Sequence, residues 1–311
     1  MHWVWDTAWR AVEVWARALP YTVLGVLLAN LALELGLFQR LHPLFTPLLR
    51  RIGFTSDAGI ALLVAFGSPP TAVAMLAGLY QEGRISRRET LLTAIGTWFP
   101  QTVYESVVYL APVAIPFLGS VGLAYTAFFL ANGLLVSGVA FIAAAFLLRP
   151  GSADSAPIPV TNRERPLREV FGRCLKRTVY VLRRMVLLAL PVSIAAMLLV
   201  NAGWFKEMLG SLDNVPLPPA ALTAIPVCLA NPVAAYAMLG DLLQQGVLNP
   251  QLTLLTLMLA NFVTSLRYIL AHRLPYYVGL FGGRLGLEIT SVGALLRLGW
   301  TGVFIVLLFI W

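Results

Sequence analysis

Few side chains in this chain of 311 residues could do chemistry, and almost all of them sit in apolar surroundings. Glu105 follows Gln101 and Thr97 at four-residue spacing, which puts the three on one face of a helix. Arg267 shares a broad polar surface with Asn261, Thr264, Ser265 and Tyr268, and Arg297 stands in an otherwise apolar stretch. An ionisable group near a bilayer centre is costly unless it is paired or hydrated. Two arginines against one glutamate leave an excess of positive potential that suits an anionic solute, while a plain ion pair of Glu105 with Arg267 or Arg297 would only hold the fold together. The remaining polar groups flank prolines: Gly67, Ser68, Pro69, Pro70 and Thr71 at one place, Asn231 and Pro232 at another. A short polar residue before proline is the N-cap and N1 pattern that starts a helix, and a helix start offers free N–H donors to an electron-rich group. Glu34, Glu288 and His272 fall near the ends of apolar runs, where interfacial solvation is the expected role.

The elements that must position these groups are membrane spans. The chain is 59% hydrophobic and 12% charged, with a mean hydropathy of +0.81, far beyond a soluble domain. Its 22 Lys and Arg against 14 Asp and Glu lie mostly between apolar runs, so the positive-inside rule accounts for them and nucleic acid is not an expected partner. Cys174 and Cys228 are far apart with no ligand spacing, and there is no Gly-x-x-x-x-Gly-Lys loop or His-Glu-x-x-His helix. No metal, cofactor, ATP hydrolysis or catalytic residue is expected.

The stretch FGSPPTAVAMLAGLYQEG at 66–83 returns as LANPVAAYAMLGDLLQQG at 229–246, so that adding 163 carries Pro69 onto Pro232, Met75 onto Met238 and Gly83 onto Gly246. An interfacial helix rich in tryptophan is expected over 1–18, a first repeat over 19–148, a basic linker over 149–177 and a second repeat over 178–311. Spans are expected at about 19–38, 90–112, 123–148, 179–200, 252–270 and 287–309, with broken re-entrant hairpins at about 57–82 and 219–245. The hairpin returns Arg84, Arg87 and Arg88 to the side of Arg40, Arg50 and Arg51. Three crossings and a hairpin in each half make the halves inverted: an all-α integral membrane protein of two inverted-topology repeats. The N-terminus then lies outside, the linker in the cytoplasm, the loop with His272, Arg273 and Arg284 inside, and the C-terminus outside.

With the TLLTAIGTWFPQ stretch at 90–101 and the turn at 112–122, the two breaks resemble the nucleoside-recognition, or Gate, family. That domain is shared with concentrative nucleoside transporters, ferrous-iron permeases and spore maturation membrane proteins. The resemblance implies architecture more than substrate. Iron permeases commonly carry a cysteine at the break, where this chain has Ser68 and Asn231.

The expected function is passive or ion-coupled transport of a small polar solute, anionic or nucleoside-like, in the cell membrane. Its site combines Ser68, Thr71, Gln101, Glu105, Asn231, Thr264, Arg267, Tyr268 and Arg297, framed by the breaks at Gly67, Pro69, Pro70 and Pro232. The partners are the lipid bilayer, the solute and, where transport is coupled, an ion; the reading also admits a homo-oligomer. The rivals are a membrane scaffold or assembly factor, a divalent-cation permease and an intramembrane lipid enzyme.

Overall fold

A computed structural model describes residues 2–34, 51–148 and 217–310, with scattered helical positions between 168 and 198. The Arg40 and Arg50 loop, the body of the 149–177 linker and most of the 179–200 span lie outside the described residues, as do the side chains of Asn30 and Glu34. The described residues form helices and no strand.

One helix, α1, runs from His2 to Glu34, so the helix expected over 1–18 and the span after it are continuous. Pro20 lies inside it; a proline removes one backbone bond but does not end a helix that packing holds. Trp15 is 1% exposed and meets Phe117 edge-on at 5.2 Å, together with Ala11 and Val14 in the largest core cluster. Trp5, at 77%, faces outward. The first turns of α1 are therefore partly core rather than wholly interfacial.

The first broken segment is α2, Ser56–Val64, and α3, Pro69–Gln81. At 1.5 Å per residue, arms of 9 and 13 residues reach roughly 13 and 20 Å, each short of a ~30 Å hydrocarbon core. The arms pack on each other. Arg84, just beyond α3, donates to Asp57 at the start of α2 at 2.7 Å, so the segment doubles back and brings its two ends together. The second segment repeats this as α8, Pro219–Ala230, and α9, Pro232–Gln244.

Next come α4, Arg87–Gly96, and α5, Trp98–Glu105, then a π-helical turn at Ser106–Leu110 and α6, Ala111–Leu118. In the second half α10, Pro250–Tyr268, passes through a π-helical turn at Ile269–Arg273 into α11, Leu274–Phe281. The π turns coincide under the same shift of 163, and each is followed by a proline two residues on, Pro112 and Pro275. The wider turn carries the Ala111 N–H to the Ser106 carbonyl and the Leu274 N–H to that of Ile269, so the ladder absorbs the proline instead of ending there. This corrects two expectations: the spans ending near 112 and 270 continue to Leu118 and Phe281, and His272 and Arg273 belong to a helix rather than a loop.

Both helices stop at a glycine with positive φ, Gly119 at 57° and Gly282 at 81°, and turn into the long helices α7, Ser120–Leu147, and α12, Gly283–Ile310. An L residue at Gly282 would be forced into a region that costs about 1–3 kcal/mol. Gly282→Ala is accordingly expected to lower unfolding stability by that amount, read from thermal denaturation in detergent.

Three helices among the described residues are long and apolar enough to cross a bilayer, Ser120–Leu147, Pro250–Phe281 and Gly283–Ile310, and they point to a membrane protein. The halves interlock. The arm α3 packs on α11 through Val73, Leu76 and Ala77 against Tyr277 and Phe281, while α9 packs on α6 of the first half. Arg87 also pairs with Glu288 across the halves at 2.6 Å.

Candidate functional site

Interlocking the halves brings both breaks to one chamber. Pro69, Pro70 and Pro232 border a cavity of about 630 Å³ with Gln101, Glu105, Thr264, Tyr268 and Arg297. Tyr104, Tyr109, Tyr125, Phe129 and Tyr236 add an aromatic wall. These side chains come from α3, α5, α7, α9, α10 and α12 and the first π turn, so no local motif could assemble them. A second compartment of about 320 Å³ adjoins it through Pro69, Pro70, Gln101 and Tyr268, and is further lined by His272, Arg273, Tyr276 and Tyr277.

The two breaks are finished differently. At the second, Asn231 Oδ1 accepts from the N–H groups of Val233 (3.0 Å) and Ala234 (3.3 Å), a side-chain cap on α9. Arg267 Nη1 donates to the Leu229 carbonyl at 2.9 Å, satisfying the C-terminal end of α8 with a cation where the helix dipole favours one. Arg267 thus lies exposed and outside both compartments. At the first break Ser68 caps no backbone group. Its hydroxyl pairs with that of Thr71 at 2.6 Å, and neither residue lines the chamber. Gly67 lies within the turn, also outside the chamber.

Glu105 forms no ion pair with an arginine among the described residues. Its carboxylate accepts from Gln101 Nε2 at 2.7 Å, and Gln101 Oε1 accepts from Arg273 Nη2 at 2.9 Å. The acid and the cation are thus linked through an amide whose orientation both ends dictate.

Arg273, assigned to a loop by its sequence context, is an interior residue, 7% exposed. Its guanidinium lies 3.6 Å from the centroid of the Trp98 ring. Arg297 rests against the same ring at 5.2 Å and against Phe129 at 5.3 Å. Trp98 is buried and tightly backed by Gly293. The interior excess of two cations over Glu105 therefore belongs to Arg273 and Arg297, both of which border compartments of the site. The signals for the two missed residues were present: Pro275 is the shifted partner of Pro112 inside a span, and Trp98 lies one residue after Thr97 on the way to Gln101. Asn261 donates to Tyr125 Oη at 2.9 Å, tying α10 to α7 at the chamber wall.

Fold and chamber together define a helical membrane protein with a cavity framed by two broken helices and lined by aromatic and a few polar side chains. Residues 15–146 match the Gate family model, described as nucleoside recognition. The matched span covers most of the first half. Three proteins of Methanocaldococcus jannaschii are similar along most of their length. Uncharacterized protein MJ0871 is 26% identical over 88% of this chain and 86% of its own, and uncharacterized protein MJ0880 is 26% identical over 86% and 89%. Uncharacterized protein MJ1556 is 21% identical over 93% of both. No solved structure matches.

Proposed function

We propose that the chain is a membrane transporter, passive or ion-coupled, that moves a small polar solute, anionic or nucleoside-like, through the chamber between the two breaks. The observation that carries this reading is the convergence of Pro69, Pro70 and Pro232 on one cavity with Gln101, Glu105 and Arg297. Irregular backbone is tolerated at membrane depth where it lines a wet cavity, and paired broken helices at such a cavity are the pattern of secondary transporters. The recurrence of element bounds at a shift of 163 supports two repeats. With three crossings and a re-entrant hairpin each, they are inverted, the N- and C-termini outside and the basic linker cytoplasmic.

In this reading Gln101, Glu105, Thr264 and Tyr268 receive the polar groups of the solute and Arg297 balances negative charge. Ser68 and Thr71 shape the first break, while Asn231 and Arg267 hold the second. The aromatic wall suits a planar ring, and the match described as nucleoside recognition supports such a solute. Movement of the hairpins against the spans gives alternating access.

The test is flux in proteoliposomes, with labelled nucleosides and organic anions as probes. A saturable flux is expected, and Glu105→Gln and Arg297→Gln are each expected to reduce it by roughly tenfold or more, the loss of a charged hydrogen-bonding group. No flux of any probe from folded protein, with a subunit that co-purifies in fixed ratio, would overturn the transporter in favour of an assembly role.

A further inference from the structure

The smaller compartment holds an unmatched demand. Arg273 is nine-tenths buried, its Nη2 donates to Gln101, and its Nη1 is enclosed with no hydrogen-bond partner. A buried guanidinium donor left without an acceptor is costly, and such groups in native structures call for an explanation. No carboxylate among the described residues pairs with it: the salt bridges of the neighbouring arginines lie at the hairpin ends and at Glu288. Glu105 reaches Arg273 only through the Gln101 amide.

The same compartment is bordered by Pro69 and Pro70, the first turn of the 13-residue helix α3. Two prolines carry no N–H, so what this helix start offers the compartment is the positive end of its dipole. At the second break Asn231 accepts from the N–H groups of Val233 and Ala234, whereas at the first Pro69 and Pro70 have no N–H to cap. An interior arginine with an unpartnered N–H group and the positive end of a helix dipole thus meet at one cavity of about 320 Å³, and both favour a group with negative charge. The planar fork of arginine, steadied on Trp98 at 3.6 Å, fits the paired oxygens of a phosphate or carboxylate better than a chloride ion.

We propose that this compartment is an oxyanion seat, in which Arg273 receives the phosphate or carboxylate of a soluble ligand beside the positive end of α3, with the body of the ligand in the adjoining chamber. The proposal rests on the transporter reading for the identity of the ligand as the transported solute, but the seat itself is tested by binding. Tyr276 sharpens the placement. Its hydroxyl approaches the Pro70 carbonyl at 3.4 Å, so it borders the compartment beside the first turn of α3.

The experiment is thermal unfolding of the full chain in neutral detergent, titrated with inorganic phosphate, phenyl phosphate and benzoate, with benzamide as the uncharged counterpart. A saturable rise with the anions and none with benzamide is expected. Arg273→Gln is expected to weaken the apparent affinity by about tenfold or more, the scale of a lost charged hydrogen bond. Arg273→Lys, which keeps the charge but loses the fork, is expected to fall between, and serves if the glutamine variant does not fold. Arg88→Gln, which removes an exposed cation far from the compartment, should leave binding unchanged. Anion responses equal in wild type and in both Arg273 variants would overturn the seat, as would folded wild type that responds to no anion. A response only to phosphatidylglycerol in mixed micelles would also overturn it, in favour of a lipid headgroup. Flux in proteoliposomes that does not depend on Arg273, without anion binding, removes the seat and leaves the transporter. Anion binding that depends on Arg273, without flux, supports the seat and removes the transporter.

Discussion

A single methyl group at position 240 is expected to unseat the second hairpin. Gly240 lies within α9, and a Cβ built there would overlap the backbone carbonyl oxygen of Phe117 on α6. Backbone cannot rotate aside as a flexible side chain can, so the two helices must separate. Overpacking of this kind costs about 1–3 kcal/mol, and here the helix displaced is the one whose start frames the chamber. Gly240→Ala should therefore lower both thermal stability and solute flux. The control is close at hand in the other half. Gly78 lies in the matching helix α3 with nothing within 4 Å of a built Cβ and no positive φ. There the same substitution only improves helix propensity, and Gly78→Ala is expected to stabilise by about 0.5–1 kcal/mol. Equal effects at the two positions in thermal denaturation would show that the α6–α9 contact is not as close as described.

The second large effect is expected at Trp98. This ring is buried, packs with Ile95, Val136 and Ala140, and carries the guanidinium groups of Arg273 and Arg297. Trp98→Ala removes a large interior side chain, a loss of about 3–5 kcal/mol. It also leaves two interior cations without their aromatic support, each contact worth roughly 0.5–2 kcal/mol when desolvated. Trp98→Phe keeps an aromatic face and should lose less. A double-mutant cycle with Arg273→Gln separates packing from support: a coupling above about 0.5 kcal/mol is expected for residues in contact. Strict additivity would mean that the ring is only filler and that Arg273 is held by Gln101 alone.

Both predictions depend on residues whose importance a linear reading does not reveal, and the reason differs in each case. Gly240 looks like any glycine in an apolar helix, because what it approaches is a carbonyl more than a hundred positions away in sequence. Arg273 stands beside His272 and just before Pro275, a grouping that reads as the basic end of a span followed by a helix-breaking residue. The π turn overturns that inference. By widening one turn it lets the helix run on through the proline, and Arg273 is buried within the protein. Arg267 goes the other way. It has the right type and neighbours for a solute ligand, yet the end of α8 lies within reach and takes its guanidinium as a cap.

By itself the sequence determined the helical membrane class, the shift of 163 that relates the halves, and the breaks at Pro69 and Pro232. These follow from composition, periodicity and proline chemistry, which act within one or two helical turns. It also marked Gln101, Glu105, Thr264, Tyr268 and Arg297, which the structure gathers around one chamber. Only the tertiary structure decided which arginine faces which compartment, that Asn231 seals one break while Ser68 leaves the other uncapped, and that Trp98 bears two cations. The seating of Arg273 and Arg297 on Trp98 turns on distances between elements from opposite halves, set by the packing of interlocked helices, whereas the two breaks differ through bonds within three residues.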